Sequence, residues 1–324
     1  GVYGIGAGAI DRRPRVVAGG GAALALALLT RHEMAIAAFV GLAWLAWRTR
    51  GELDRGKWLF RAAVPVCIAI AVGSTLNAMR FGHPLDTGHR PDLAVDGFRA
   101  FLLSPAGSLV LYAPPVIAAI ALLRMVRAGH ALAILLLAVS VALLVFYGSL
   151  ADWRGTRSYG PRYLVPVVPL LVCPIAVWIA RARSSAARAA LALLCGAGLA
   201  VQIPAVAVDF SRAGVVLGQP SPSVHRDEWQ WSPLVVNIRA LGPATSATVD
   251  TLVSAGRTPP DRGPGLASRL PFGLDLWWVR LAQLGLVSPL AAVIAGALQI
   301  AAAVWLAGVA IRRAGAVTPW SPSA

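Results

Sequence analysis

Charge is scarce in this 324-residue chain: Asp, Glu, Lys and Arg together make up 13% of it, and Lys57 is its only lysine. Disordered chains stay unfolded because they are polar and charged, so disorder is excluded. Cysteine is scarce too. Cys67, Cys173 and Cys195 each stand singly within an apolar run, without the paired spacing of a zinc site, a redox motif or a disulfide scaffold. They read as small buried hydrophobes. The glycines and prolines keep no triplet period, which removes a collagen-like chain. No basic stretch, apolar run and small-residue cleavage site combine into a signal peptide at Gly1, and the chain is expected to begin within a longer protein.

What the sequence has in excess is apolar side chain: 57% of its residues are hydrophobic and its mean hydropathy is +0.69. In a soluble protein the net charge of +15 would point to nucleic acid or an acidic partner. The apolar excess argues instead for membrane lipids as the surroundings and against a nucleic-acid partner. Apolar stretches recur at 16–29, 34–47, 62–76, 108–123, 131–150, 164–180, 189–208 and 285–311. The expected fold is therefore all-α, a polytopic transmembrane helix bundle of about eight crossings. The first two stretches, separated by the turn Arg31, His32 and Glu33, fall short of the roughly 20 residues a span needs and read either as a tight hairpin of tilted helices or as a pair partly sheltered by neighbouring protein.

Lys and Arg divide unevenly between alternate sides. The side holding 11–15, 48–61, 124–130, 181–188 and 312–313 carries fifteen, the opposite short loops seven. The positive-inside rule places the richer side, and with it both ends, in the cytoplasm. Three domains are expected: a bundle over 1–208 with two short outer loops, a small irregular extracytoplasmic cap over 209–284, and a last helix and tail over 285–324. Trp229, Trp231, Trp277 and Trp278 in the cap read as interface anchors rather than ligand stacks.

Two outer loops concentrate chemistry. The first runs from Asn77 through Arg80, His83, Asp86 and His89. Asp86 could act as a base or hold an arginine. With His83 and His89 it sketches a metal site, but Pro84 and Gly88 break any helix there and no further strong ligand is near, so no metal is assigned. The second holds Asp152, Arg154, Arg157, Tyr159 and Arg162. A guanidinium presents a planar fork of donors that suits phosphate oxygens, so these arginines can grip an anionic lipid head or a lipid-linked phosphosugar. They can equally snorkel to ordinary lipid phosphates or pair with Asp152. Glu33, flanked by cations between two short apolar stretches, reads as a neutralised turn in preference to a functional group at membrane depth. Gly4, Gly6, Gly8 and Gly19 to Gly21 lack the preceding strand and acidic ribose ligand of a nucleotide fingerprint and read as close helix contacts.

The order of stretches 28–33, 77–89, 103–114 and 153–169, with the Ser-Tyr-Gly-Pro-Arg-Tyr core at Ser158 to Tyr163, resembles bacterial GT-C-type membrane glycosyltransferases, the superfamily of protein mannosyltransferases and the lipid A aminoarabinose transferase. Relatives often carry Tyr where His89 stands. The resemblance implies a polyprenyl-phosphate-linked sugar as donor, transferred to an acceptor on the extracytoplasmic face of a bacterial inner membrane, without cofactor. It also implies a catalytic acidic residue in an outer loop upstream of Gly1, which makes this chain the C-terminal portion and leaves its own catalytic residue unknown. The departing lipid phosphate needs cations placed in advance. Arg162, Arg157 and Arg154 are the expected groups and Arg80 a further one, while Tyr159 lines the site and Asp86 and Asp152 orient arginines or acceptor hydroxyls. A transporter or flippase for a lipid-linked or anionic solute would instead put ionisable groups at mid-membrane on broken helices. A noncatalytic membrane scaffold is the third possibility.

Overall fold

The computed structural model describes residues 1–84, 96–150, 159–175, 184–218, 228–253 and 272–316. Regular structure among them is helical, with no strand. Two compact units result, Gly1–Thr156 with Gly160–Cys195, and Arg157–Tyr159 with Gly196–Ala324.

The first unit is built from α1 (Val2–Ile10), α2 (Pro14–Thr30), α3 (Met34–Arg48), α4 (Arg55–Phe81), α5 (Asp96–Leu103), α6 (Leu109–Tyr112), α7 (Ala119–Arg127), α8 (Ala131–Gly148) and α9 (Val168–Val172). Local chemistry sets several boundaries. Pro14 opens α2 where a missing N–H does no harm. Gly82, at φ 79°, ends α4 in the left-handed region while its N–H returns to the carbonyl of Ala78. Small residues then let the first helices approach closely. A Cβ on Gly4 would lie 3.0 Å from the Cα of Gly20, and one on Gly8 2.7 Å from the backbone N of Val17. One on Gly21 would strike the Ala62 carbonyl of α4, whereas Gly19 faces open space. The close-contact reading of these glycines holds for all but Gly19.

Around this seam Ile5, Val17, Leu24, Leu45, Ala62, Leu135, Val139, Leu143 and Leu164 form a continuous buried core. Loops alternate between its ends. Arg12 donates to Glu52 at 3.1 Å, joining the approach to α2 with the segment after α3. The Arg31 turn meets the C-terminal end of α8 at the other end.

The second unit takes over α10 (Ser185–Ala207) from Gly196 and adds α11 (Phe210–Val216), α12 (Pro233–Val253), α13 (Trp277–Gln283) and α14 (Pro289–Ala316). Asp209 caps α11, accepting from the N–H groups of Ser211 and Arg212 at 2.8 and 3.3 Å. Burial pushes its carboxyl up, but the hydrogen bonds from Ser211 and Arg212 and the Arg212 charge outweigh this and hold it below its ordinary value. Val208, Phe210, Ala213, Val236, Ala240 and Ala244 form a separate core. Within it Asn237 donates to the carbonyls of Pro204 and Val208 at 3.0 and 2.8 Å.

Several expectations change. Four helices are long and apolar enough to cross a membrane: α4, α8, α10 and the Pro289–Leu306 part of α14. The expected crossing at 108–123 is broken into α6, a 3-10 turn over Pro114–Ala118 and α7, because Pro114 and Pro115 lack the N–H groups a continuous helix needs and the residue before a proline avoids the helical region. Prolines 166, 169 and 174 likewise leave only short pieces of the 164–180 stretch in the described part. The described part of 209–284 is largely helical with its own core rather than irregular, and α12 runs for 21 residues through Pro243. The three cysteines, expected to be buried, are exposed on the outside of their segments. Burial habits presume water as the alternative, and a helix whose outer face is apolar offers Cys another surface.

Candidate functional site

The Arg31–Glu33 turn, the end of α8 and the Gly160–Leu164 segment meet within the first unit. Gly160 adopts φ 64°, and a Cβ there would lie 2.6 Å from the Tyr112 ring, so only glycine fits both the backbone and the space. Tyr112 is held in turn by its hydroxyl, which donates to the Pro105 carbonyl at 2.8 Å. Pro161 follows and a 3-10 turn over Arg162–Leu164 closes on it, Leu164 N–H to Pro161 carbonyl at 2.9 Å. This turn sends Tyr163 inward and leaves Arg162 exposed.

Tyr163 stacks on Tyr147 with ring centroids 5.5 Å apart and planes 12° from parallel. Both rings are buried, Tyr147 completely. Two guanidinium groups attend this pair. Arg162 lies 5.1 Å over Tyr163 and its Nη2 is 3.4 Å from the Tyr163 hydroxyl. Arg31 lies 5.9 Å from the Tyr147 ring centre and 6.0 Å from that of Tyr163. The faces of aromatic rings attract cations, more strongly as water is excluded. Glu33 faces Arg31 with Oε2 3.8 Å from Nε, a long contact between half-buried side chains. Two cations against one carboxylate leave a positive surplus among these described residues, and a partly dry surplus of charge attracts an anion. The neutralised-turn reading of Glu33 is thus half the arrangement, since the same turn also delivers Arg31 to the tyrosines.

Of the residues the sequence singled out, Arg162 is in this cluster. Tyr159 belongs to the second unit, where its hydroxyl donates to the Val201 carbonyl at 2.7 Å. Burial raises its phenol above the ordinary value, so it stays a neutral donor. Arg80 is exposed in the last turn of α4. Nearby, the buried Asn77 amide reaches the Pro84 carbonyl at 3.5 Å. Asp86, His89, Asp152, Arg154 and Arg157 lie outside the described residues, so their convergence with Arg162 is not described. Among the described residues no three His, Cys, Asp or Glu side chains gather as metal ligands would.

Sequence reading passed over Arg31, Tyr147 and Tyr163 as site residues. Arg31 and Tyr163 lay within stretches already marked by the resemblance. Tyr147 is a lone phenol near the end of an apolar helix, and no local pattern marks it. No family model matches the chain, and no curated protein or solved structure matches it.

Proposed function

We propose that this chain is the donor-binding part of an integral membrane glycosyltransferase, which moves a sugar from a polyprenyl-phosphate donor to an acceptor on the extracytoplasmic face. The observation that carries this reading is the placement of Arg31 and Arg162 around the Tyr147–Tyr163 stack at one end of an apolar bundle. Supporting it, stretches distant in sequence that carry the resemblance come together there: 28–33 through Arg31, 103–114 through Tyr112 against Gly160, and 153–169 through Arg162 and Tyr163. A departing lipid phosphate develops charge that such preplaced cations stabilise in a medium of low dielectric.

In this reading the bundle crosses about eight times. α4, α8, α10 and α14 make full passes. α2 and α3, 17 and 15 residues long, reach roughly 26 and 23 Å at 1.5 Å per residue, and cross as a hairpin beside longer helices. The pieces at 109–127 and 162–175 complete the count as broken passes sheltered by protein. The end joined by Arg12 and Glu52 faces the cytoplasm and the Arg31 end faces outward.

The test is transfer of radiolabelled sugar from a polyprenyl-phosphate donor in vesicles reconstituted with the full-length protein. Arg162→Ala should reduce turnover about a hundredfold to a thousandfold, the range for losing one preplaced stabilising donor, with unchanged expression. Unchanged turnover would remove Arg162 from the site, and movement of intact donor between leaflets without transfer would make the protein a flippase.

A further inference from the structure

The Tyr147 hydroxyl is fully buried and has no hydrogen-bond partner among the described residues. An unpaired buried hydroxyl weakens the fold, and phenylalanine would supply the same ring and the same stack on Tyr163 without that defect. The hydroxyl therefore needs a reason beyond packing. Arg31 is in a comparable state. Its approach to Glu33, at 3.8 Å, is too long for a hydrogen bond, and its guanidinium, near both tyrosine rings, donates none among the described residues. A buried donor without an acceptor and a guanidinium with free N–H groups thus stand on neighbouring side chains, the guanidinium carbon 5.9 Å from the Tyr147 ring centre, in a cluster with an excess of positive charge.

We infer that the Tyr147 hydroxyl and the Arg31 guanidinium form a subsite for the non-bridging oxygens of a phosphate ester, with Glu33 as the positioning residue that holds Arg31 while the subsite is empty. Tyr147 donates one hydrogen bond and Arg31 a charge-assisted one, and Arg162, over the Tyr163 ring, adds the second positive charge. A phosphodiester carries one negative charge, which matches the surplus of two guanidinium groups over one carboxylate. This inference deepens the donor-phosphate reading and rests on it.

Binding to the detergent-purified full chain separates the two. Farnesyl phosphate serves as the short-chain probe, farnesol as its uncharged counterpart and inorganic phosphate as the headgroup alone. The wild-type protein should bind farnesyl phosphate more tightly than either. Tyr147→Phe should weaken that binding about tenfold, the loss of one hydrogen bond to a charged group, while the ligand-free protein melts at the same or a higher temperature. Arg31→Gln should weaken it at least as much. Wild-type affinity in Tyr147→Phe would overturn the subsite. If Arg162→Ala alone impairs binding, the subsite falls and the donor-phosphate reading stands. If the wild-type protein binds farnesyl phosphate no better than farnesol, both fall. Equal affinity for inorganic and farnesyl phosphate would make the ligand a free anion and overturn its lipid linkage.

Discussion

Gly160 shows how much of the site hangs on single residues. Its positive φ turns the chain after Tyr159, and the absence of a Cβ lets the Tyr112 ring lie against its backbone. Alanine there meets both obstacles at once, left-handed strain and collision with a ring whose hydroxyl is tied to Pro105. Gly160→Ala should destabilise the first unit by about 2–5 kcal/mol, the sum of the two usual penalties, as read by thermal melting in detergent. A variant as stable as the parent would mean that the Tyr112–Gly160 contact does not hold the turn. Of these features the sequence displays the glycine and the proline after it, which mark a turn. The tyrosine that fills the space comes from nearly fifty residues earlier, and no local pattern announces it.

Among the helices, α2 offers an internal comparison. Gly19, Gly20 and Gly21 are consecutive, yet they face open space, α1 and α4 respectively. At Gly19 an alanine meets nothing, so it should gain the ordinary helix preference over glycine, about 0.5–1 kcal/mol. At Gly21 the same substitution pushes against the Ala62 backbone, and separating two helices costs more than propensity returns. Melting temperatures should therefore move in opposite directions for Gly19→Ala and Gly21→Ala; a shared direction would show that α2 does not pack on α4 through Gly21. The apolar run was legible as a helix and its glycines as contacts, but which glycine faces which neighbour depends on rotation of the helix, which an almost uniformly apolar stretch leaves open. The run at 108–123 shows the opposite case: hydropathy alone reads as one span, while the backbone demands of Pro114 and Pro115 divide it.

For the whole molecule the outer surface is decisive. Little of α10 and α4 is buried, and Leu193, Leu199, Ile203, Ile68, Ile70 and Val72 are all exposed. A surface this apolar is far larger than the patches soluble proteins tolerate, and it is the wall expected of a bundle in lipid. Cys67 and Cys195 lie on these helices and are exposed, which gives a direct measurement. In sealed vesicles a water-soluble maleimide should leave both unlabelled, because the reaction needs a hydrated thiolate, and it should label both after denaturation in SDS. Rapid labelling in intact vesicles would place these faces in water and end the membrane reading.

Composition and the length of apolar runs determined by themselves that the chain is helical and built for lipid, because a bilayer requires backbone polar groups to be satisfied within each segment and leaves helices as the economical answer for such runs. The boundaries of the runs also located the Arg31 turn, and the family resemblance marked the Ser158 to Tyr163 core. Only the tertiary structure decided that Arg31, Tyr147, Tyr163 and Arg162 share one place, that the 209–284 segment contains helices with a core of their own, and which runs stay whole. The physical reason is distance along the chain: periodicity and propensity act over a few turns, whereas the stack of Tyr147 on Tyr163 and the approach of Arg31 to both arise from the packing of helices whose mutual rotation no local pattern encodes.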